Sequence, residues 1–491
     1  MNRFLHSLQT LVGRVPGPIL RRYRVWLGVI LLALVLAAGY FVYSTRNTIV
    51  IRDDGFHPRT LTIRAGETVT FRSERGKYFW PASDFHPSHM LFPAFDAKKA
   101  IDPKGSWSFR FDMPGVYPFH DHLAAYYFGV IRVADASGKV TDNCMEHGGQ
   151  LQCWQNEVFT VLAKDGLNAA FELIDRLYAD NDSFSSMCHT ITHNIGHASY
   201  QLYVEDPKAI LSPKAMVCGG GFYHGFMEAF LSATADPKKA ATVCEDIGKA
   251  IGKQVPDARL QCYHGIGHGA LETMIASTGD FGSLVGTVNS ALAICEEASI
   301  GVDERYRCVS GLYNGISNAY VEGQYGLSAS SSDPLALCAV QKDEYKESCY
   351  GNMNTYISRT RATFLEAARY VLAMPDVAYR ESTLKYLAGL ESVPHLHDTS
   401  FDSIVTECEA LPKPFDLTCL QGFVHGFIEH GLPEREYVLA ISFCASPAMD
   451  ARERGACYQE ALGHLSGSYS KETATAVCNS VAPELRHYCA Q

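Results

Sequence analysis

The pattern of apolar and polar positions divides the 491-residue chain into three stretches. Residues 25–43 form an uninterrupted apolar run that would be about 28 Å long as a helix, close to the thickness of a bilayer's hydrocarbon core. Residues 47–134 contain short runs with a period of two, which predict β-strands. Beyond residue 144, amphipathic runs such as 169–178 and 240–252 end in Pro, Gly or Asp and predict helix pairs.

These stretches predict a multidomain chain: a basic tail at 1–24, a transmembrane helix at 25–43, an all-β sandwich at 47–134 and an all-α, disulfide-rich helical repeat domain at 144–491. The tail has no acidic residue before the apolar run but carries Arg3, Arg14, Arg21, Arg22 and Arg24. The positive-inside rule then keeps the N-terminus cytoplasmic. We therefore expect a single-pass protein of the cell membrane, with the lipid bilayer as a partner and its bulk periplasmic or extracellular. A cleaved signal peptide is the alternative.

The net charge argues against a nucleic-acid partner. The formal charge is −11 and the isoelectric point is about 5.9. Phosphate binding needs a concentrated basic face, and none occurs after residue 60.

The cysteines predict a disulfide framework. All sixteen lie between Cys144 and Cys489, and an even number in an exported protein indicates bridges. Six pairs share a short spacing that suggests one local bridge per repeat: Cys244/Cys262, Cys295/Cys308, Cys338/Cys349, Cys408/Cys419, Cys444/Cys457 and Cys478/Cys489. The other four, Cys144, Cys153, Cys188 and Cys218, allow three connectivities.

Two segments of the β-rich stretch resemble cupredoxins, the family of plastocyanin and amicyanin. Residues 55–73 (GFHPRTLTIRAGETVTFRS) resemble the family's opening strands, and residues 115–133 (GVYPFHDHLAAYYFGVIRV) resemble its last two strands with the metal-binding loop between them. The resemblance implies a cupredoxin-like sandwich with a metal site at one end. Asp121 stands where that family has its cysteine ligand, and Trp80 stands at the first-histidine position. A type 1 copper site is therefore not expected.

Imidazoles remain on the loops that this topology brings to one end. The candidate ligands of the β-domain are His86, His89, His120 and His122, with Asp121 between the last two. Alternate residues of a strand face one side, so His120 and His122 can point at one metal. Such a sulfur-free set suits Cu(II) or Zn(II). The alternative is a domain that has lost its metal.

A motif of two polar residues four positions apart recurs in the helical stretch. Copies include HNIGH at 193–197, HGFME at 224–228, HGIGH at 264–268, HGFIE at 425–429 and EALGH at 460–464. Residues at i and i+4 share a helix face, so each pair can chelate an ion. The candidate ligands are His193, His197, His224, Glu228, His264, His268, His425 and Glu429.

The glycine inside most copies costs about 1 kcal/mol in a helix, so its recurrence indicates a close neighbour such as another inner helix. If the faces converge, His193, His224, His264 and His425 share one ligand shell and hold one or two transition-metal ions. Asn314 and Asn318 replace both ligands in one copy, which favours the alternative of a packing network. An open solenoid and a closed α/α ring both fit the repeats.

The predicted function is a membrane-anchored extracytoplasmic metal-binding protein, copper-handling or redox-related. Copper is the first candidate and zinc or iron the alternative; a redox or metal-transfer partner is of unknown identity. One alternative is a metal-dependent oxidase or hydrolase centred on the helical motifs. Another is an interaction scaffold without bound metal. The sequence leaves open whether the protein is an enzyme.

Overall fold

A computed structural model describes residues 26–27, 29–31, 47–141, 144–147, 149–278, 283–327, 335–432 and 435–489. Within these ranges no helix is both long and apolar enough to cross a membrane. The predicted span at 25–43 lies outside the described residues, apart from 26–27 and 29–31, and the basic tail at 1–24 lies wholly outside them.

Eight strands make a two-sheet β-sandwich: β1 Thr48–Arg52, β2 Gly55–His57, β3 Thr60–Arg64, β4 Glu67–Ser73, β5 Pro81–Ser83, β6 Ser106–Phe111, β7 Gly115–Asp121 and β8 Ala124–Ala134. The sheets have the orders β2-β1-β4-β6 and β3-β8-β7-β5, with β1–β4 and β3–β8 parallel. Inward-facing residues such as Ile49, Phe71, Phe119 and Val133 fill the space between the sheets. The period-two pattern therefore predicted the sandwich correctly.

Helices make up the regular structure described after residue 144. The first ten are α1 Cys144–His147, α2 Gly149–Asp165, α3 Leu167–Asp180, α4 Asp182–Glu205, α5 Gly221–Thr234, α6 Pro237–Ile251, α7 Ala258–Thr278, α8 Leu284–Ala298, α9 Val302–Glu322 and α10 Leu335–Ala339. The others are α11 Asp343–Asn352, α12 Asn354–Thr360, α13 Phe364–Leu372, α14 Arg380–Leu390, α15 Asp402–Glu409, α16 Phe415–His430, α17 Glu436–Cys444, α18 Ala451–Gly463, α19 Leu465–Ser468 and α20 Lys471–Ser480. The run at 169–178 lies in α3, and the run at 240–252 lies in α6 except for Gly252, which directly follows the helix, as predicted.

The helices that carry the motif pack in order and close on themselves. α4 packs on α5, α5 on α7 and α7 on α9, and contacts continue through α11, α12 and α14 to α16 and α18. The Tyr178 hydroxyl of α3 donates to the carbonyl of His430 at the end of α16, 2.5 Å away. His397 Nε2 lies 3.1 Å from Ser185 Oγ in α4. The end of α16 and the segment before α15 therefore return to α3 and α4, which closes the array.

Disulfides join neighbouring helices of this array. All six predicted local pairs are confirmed. The four cysteines left unassigned pair as Cys144–Cys153 and Cys188–Cys218. Cys244–Cys262, for example, ties α6 to α7.

One end of the β-sandwich packs into the helical array. Trp80, Phe85 and Leu123 of the sandwich belong to the same buried apolar cluster as the helices. Polar contacts supplement it: the side-chain amide of Gln155 donates to Asp84 at 2.7 Å, and the Ser232 hydroxyl donates to the Leu123 carbonyl at 2.9 Å. This packing sets the imidazole-bearing loops against the motif helices.

Candidate metal centre

Four imidazoles cluster at the buried end of the sandwich. His86 and His89 follow β5, His120 lies in β7, and His122 comes directly after it. Each is 3% exposed or less. His86 Nδ1 lies 3.3 Å from His120 Nε2, and His89 Nε2 lies 2.9 Å from His122 Nδ1. Ring nitrogens that approach this closely while buried make a suitable ligand set for a cation.

Carboxylates contact the Nδ1 atoms of two of these rings and so fix the orientation of the rings. His89 Nδ1 lies 2.7 Å from Asp96 Oδ2, and His120 Nδ1 lies 3.0 Å from Asp84 Oδ1. Metal-ligating histidines usually have such a partner on the second nitrogen, which fixes the ring and its tautomer. Asp84 and Asp96 were not predicted from the sequence.

Asp121 does not join the imidazoles. Its carboxylate is fully buried, pairs with the Arg75 guanidinium and accepts the Trp80 backbone N–H at 2.8 Å. The reason is the alternation of the strand, which turns Asp121 away from the side that His120 and His122 share. Including Asp121 among the candidate ligands was therefore wrong.

On the helical side, the candidate ligands lie at intervals of four along three neighbouring helices. α4 carries His189, His193 and His197, α5 carries His224 and Glu228, and α7 carries His264, His268 and Glu272. Glu228 lies at their centre. Its carboxylate is 2.6 Å from His197 Nε2, 3.2 Å from His268 Nδ1 and 3.5 Å from His193 Nε2.

The motif glycines bring these helices together. A Cβ atom on Gly225 of α5 would lie 2.0 Å from the His193 carbonyl oxygen of α4. One on Gly267 of α7 would lie 1.9 Å from the Cys308 carbonyl oxygen of α9. Real Cβ atoms do not approach oxygen so closely, so only glycine fits. The expected close neighbour is therefore confirmed, and it is the next motif helix.

The two sets of predicted ligands meet at a single site. His86 Nε2, from the sandwich, lies 3.7 Å from Glu228 Oε2 and 3.9 Å from Glu272 Oε1. Tyr325, in the turn after α9, links the two sides: its hydroxyl is 2.5 Å from His122 Nε2 and 3.3 Å from Glu272 Oε1. The candidate centre thus lies between the sandwich and the helices.

Several sets of three ligand atoms lie within 4.8 Å of one another. In this centre they are His86/His120/His122, His86/His197/Glu228, His193/Glu228/His268 and His224/His264/His268. His86, Glu228 and His268 each belong to two sets, and of these three only Glu228 can serve two ions at once, because a neutral imidazole has a single free lone pair. A carboxylate such as Glu228 can bridge two ions because it has two oxygens.

Some buried polar atoms of the centre have no hydrogen-bond partner among the described residues. They are His193 Nδ1, His264 Nδ1, His268 Nε2 and Glu272 Oε2. Leaving a buried polar atom unsatisfied costs about 1 to 3 kcal/mol. Native proteins tolerate few such groups, and several in one place indicate a missing ligand, water or ion.

Burial keeps most of these imidazoles neutral. It lowers the pKa of His197 to about 4, even though Glu228 opposes the shift. It also holds the pKa values of His86, His122, His224 and His264 well below the usual range, with neighbouring histidines adding to the effect. Neutral imidazole is the form that binds metals.

The two buried carboxyl groups differ. Burial alone would raise the pKa of Glu228, but the surrounding imidazoles, His193 first, hold it well below its ordinary value. Burial raises the pKa of Glu272 well above its ordinary value, and the charge of Glu228 raises it further. The directions of these shifts favour the ionised form of Glu228 and the protonated form of Glu272.

Most helical site residues predicted from the sequence lie in this centre, namely His193, His197, His224, Glu228, His264 and His268. His425 does not, because it lies on α16 beside His464, with ring centroids 5.1 Å apart. Glu429 Oε2 lies 3.7 Å from His425 Nε2, also outside the centre. His189, Glu272 and Tyr325 were not predicted from the sequence. The first two extend the four-residue spacing of the motifs, whereas Tyr325 carries no such signal.

Comparisons with known proteins add little to this description. No family profile and no curated protein sequence matches the chain. Among solved structures it is similar to a mutant plastocyanin of fern, studied in oxidised and reduced forms. The identity is 19%, the match covers 18% of this chain and 98% of that chain, and the TM-score is 0.16. Plastocyanin is a cupredoxin, but at this TM-score the similarity carries no weight for the function.

Proposed function

We propose that this chain is a metalloprotein in which a cupredoxin-like sandwich and a closed helical array together hold a multinuclear transition-metal centre. The observation that carries the proposal is the position of Glu228. Its carboxylate belongs to two ligand sets, one of which includes His86 from the sandwich. In this proposal the two units keep the predicted bounds 47–134 and 144–491.

The ligand chemistry favours copper, with zinc or iron next. Every candidate ligand offers nitrogen or oxygen, and all sixteen cysteines are in disulfides. Imidazole-rich sites suit copper, zinc and iron, whereas calcium and magnesium prefer oxygen ligands. The cupredoxin-like sequence pattern adds weight to copper and to a redox or copper-handling role.

A purely structural histidine network explains the centre less well. In the helical half of the centre, His193, His264 and His268 each keep one buried ring nitrogen without a hydrogen-bond partner among the described residues, which a network built only for packing leaves unexplained. A network that served stability alone would also gain little from concentrating so many groups that are costly to bury.

The cellular setting is part of the proposal. Eight disulfides favour an oxidising compartment. The arginines before the apolar run 25–43 favour a membrane anchor with the bulk of the chain on the extracytoplasmic side. Metal delivered there would reach the centre without crossing the cytoplasm.

Paired variants test whether both units supply ligands. His120→Ala changes the sandwich side and His197→Ala the helical side. Matched controls are His57→Ala, whose ring pairs with Asp54 at the surface, and His395→Ala, whose ring pairs with Asp398. Copper and zinc in the purified full chain would be measured by elemental analysis. We expect both site variants to lose metal and both controls to keep it. Loss in neither site variant, or in one alone, would contradict a shared centre.

A further inference from the structure

The candidate centre between the sandwich and the helices is called the interdomain centre below. A second group of potential ligands lies outside it. It consists of His425 in α16, Glu460 in α18 and His464 immediately after α18. One ligand atom from each lies within 4.8 Å of the others. His464 Nε2 is 2.6 Å from Glu460 Oε1, and these two residues are four apart, one turn along the chain.

We propose that His425, Glu460 and His464 form a separate site for a single zinc ion with an open coordination position. Two imidazoles and one carboxylate are a known zinc ligand set, and a fourth position filled by water or substrate distinguishes catalytic from structural zinc sites. The site is independent of the interdomain centre, because it shares none of its ligands.

The surroundings leave room for that fourth ligand. His425 and His464 line a cavity of about 700 Å³, together with Asp257, Gln261 and Arg307. Their side chains are 32% and 37% exposed, in contrast to the deeply buried imidazoles of the interdomain centre. A small molecule with an oxygen ligand can therefore reach an ion held here.

The cavity wall provides a group for recognising an anion. The Arg307 guanidinium lines the cavity and pairs with Asp257 at 3.3 Å. Burial raises the pKa of Asp257, and Arg307 opposes that shift. The ligand class that fits both an open zinc position and a nearby guanidinium is a small carboxylate or phosphate.

Among the described residues, Lys385 is the one lysine or arginine that contacts the triad directly. Its Nζ lies 2.7 Å from Glu460 Oε1, the same oxygen that His464 contacts. Burial alone would raise the pKa of Glu460, but the hydrogen bonds from His464 and Lys385 bring it to about 2. The positive charge of Lys385 also opposes a cation bound at the triad. A variant without that charge should therefore bind the zinc ion more tightly.

The cavity also approaches the interdomain centre. Gln261 lies in the cavity wall, and its Oε1 is 3.3 Å from His224 Nε2. The proposed zinc site thus opens to a space that adjoins the outer edge of the buried histidines.

The test is a titration of the full chain, stripped of metal, with Zn²⁺ alone, followed by equilibrium dialysis. His464→Ala and Glu460→Gln should each bind one zinc ion fewer than the wild type, and the double variant should lose no more than either single variant. His487→Ala is the control, because that exposed ring contacts only a backbone carbonyl among the described residues, through Nδ1, apart from its packing on Tyr488. It should bind as the wild type does.

Lys385→Met distinguishes a lost ligand from misfolding, which could also explain zinc loss in His464→Ala and Glu460→Gln. Removing the ammonium should lower the dissociation constant of the zinc ion that His464→Ala loses, a gain that misfolding does not produce. Full wild-type stoichiometry in His464→Ala, or unchanged affinity in Lys385→Met, would overturn the site. His197→Ala separates the two proposals, because it should keep this zinc ion even while it loses metal from the interdomain centre.

Discussion

Acidification should destabilise the metal-free protein, and His197 provides the test. Its side chain is 3% exposed, and burial lowers its pKa from an ordinary 6.5 to about 4. The folded protein therefore binds this proton less readily than the unfolded chain does. Stability is fully present above pH 6.5 and is lost as the pH falls toward 4.

The magnitude follows from the two pKa values. A pKa lowered from 6.5 to about 4 means that the free energy of unfolding falls by about 3 kcal/mol once the pH is below both values. About 2 kcal/mol of this is already lost at about pH 5. Other groups contribute with different signs. Because the pKa of Glu228 is lowered, its protonation costs the folded protein further stability near and below the ordinary pKa of 4.5. Because the pKa of Glu272 is raised, its protonation stabilises the folded protein on acidification. A single-site variant is needed to isolate the histidine.

His197→Asn is the appropriate variant, since asparagine does not titrate and occupies two motif positions at Asn314 and Asn318. Urea unfolding of both proteins would be followed at about pH 7 and about pH 5 in the presence of a chelator. The wild type should lose about 2 kcal/mol more than the variant between these values. Equal losses would show that His197 is not held neutral by burial, and the reasoning would fail.

Three further outcomes are expected. Copper-loaded protein should lack the intense blue absorption of type 1 sites, because no thiol is available as a ligand; a strong blue colour would refute the assignment of ligands. Thiol reduction should make unfolding much easier, since each bridge contributes about 2 to 4 kcal/mol, and unchanged denaturation curves would contradict this. Gly225→Ala should destabilise by about 1 to 3 kcal/mol or more and weaken metal binding, whereas Gly463→Ala, with open space around it, should not; calorimetry on both variants decides.

Local periodicity accounts for what the sequence predicted well. The period-two alternation of apolar and polar residues predicted the sandwich. The four-residue spacing placed His193, His197, Glu228 and His268 on helix faces that do converge. The same spacing continues to His189 and Glu272, so those two could have been found. Short cysteine separations gave the local bridges, because each connects helices joined by a short loop.

The remaining features depend on tertiary packing. His86 meets Glu228 only because the sandwich docks against the helices, and nothing local to either residue encodes that contact. The repeat pattern predicted that His425 would join His193, but α16 packs against α18, which sets His425 beside His464 instead. Tyr325 lies in a short turn with a positive φ of 54°, where no periodic pattern applies.

X-ray absorption at the metal edge of the metal-loaded full chain tests the central claim most directly. A centre built around Glu228 should show a first shell of nitrogen and oxygen at about 2.0 to 2.2 Å, with no sulfur. It should also show a second metal about 3.5 to 4 Å away, as in carboxylate-bridged pairs, and that signal should disappear in Glu228→Gln. Sulfur in the shell, a single isolated ion, or no stoichiometric metal would contradict a shared multinuclear centre.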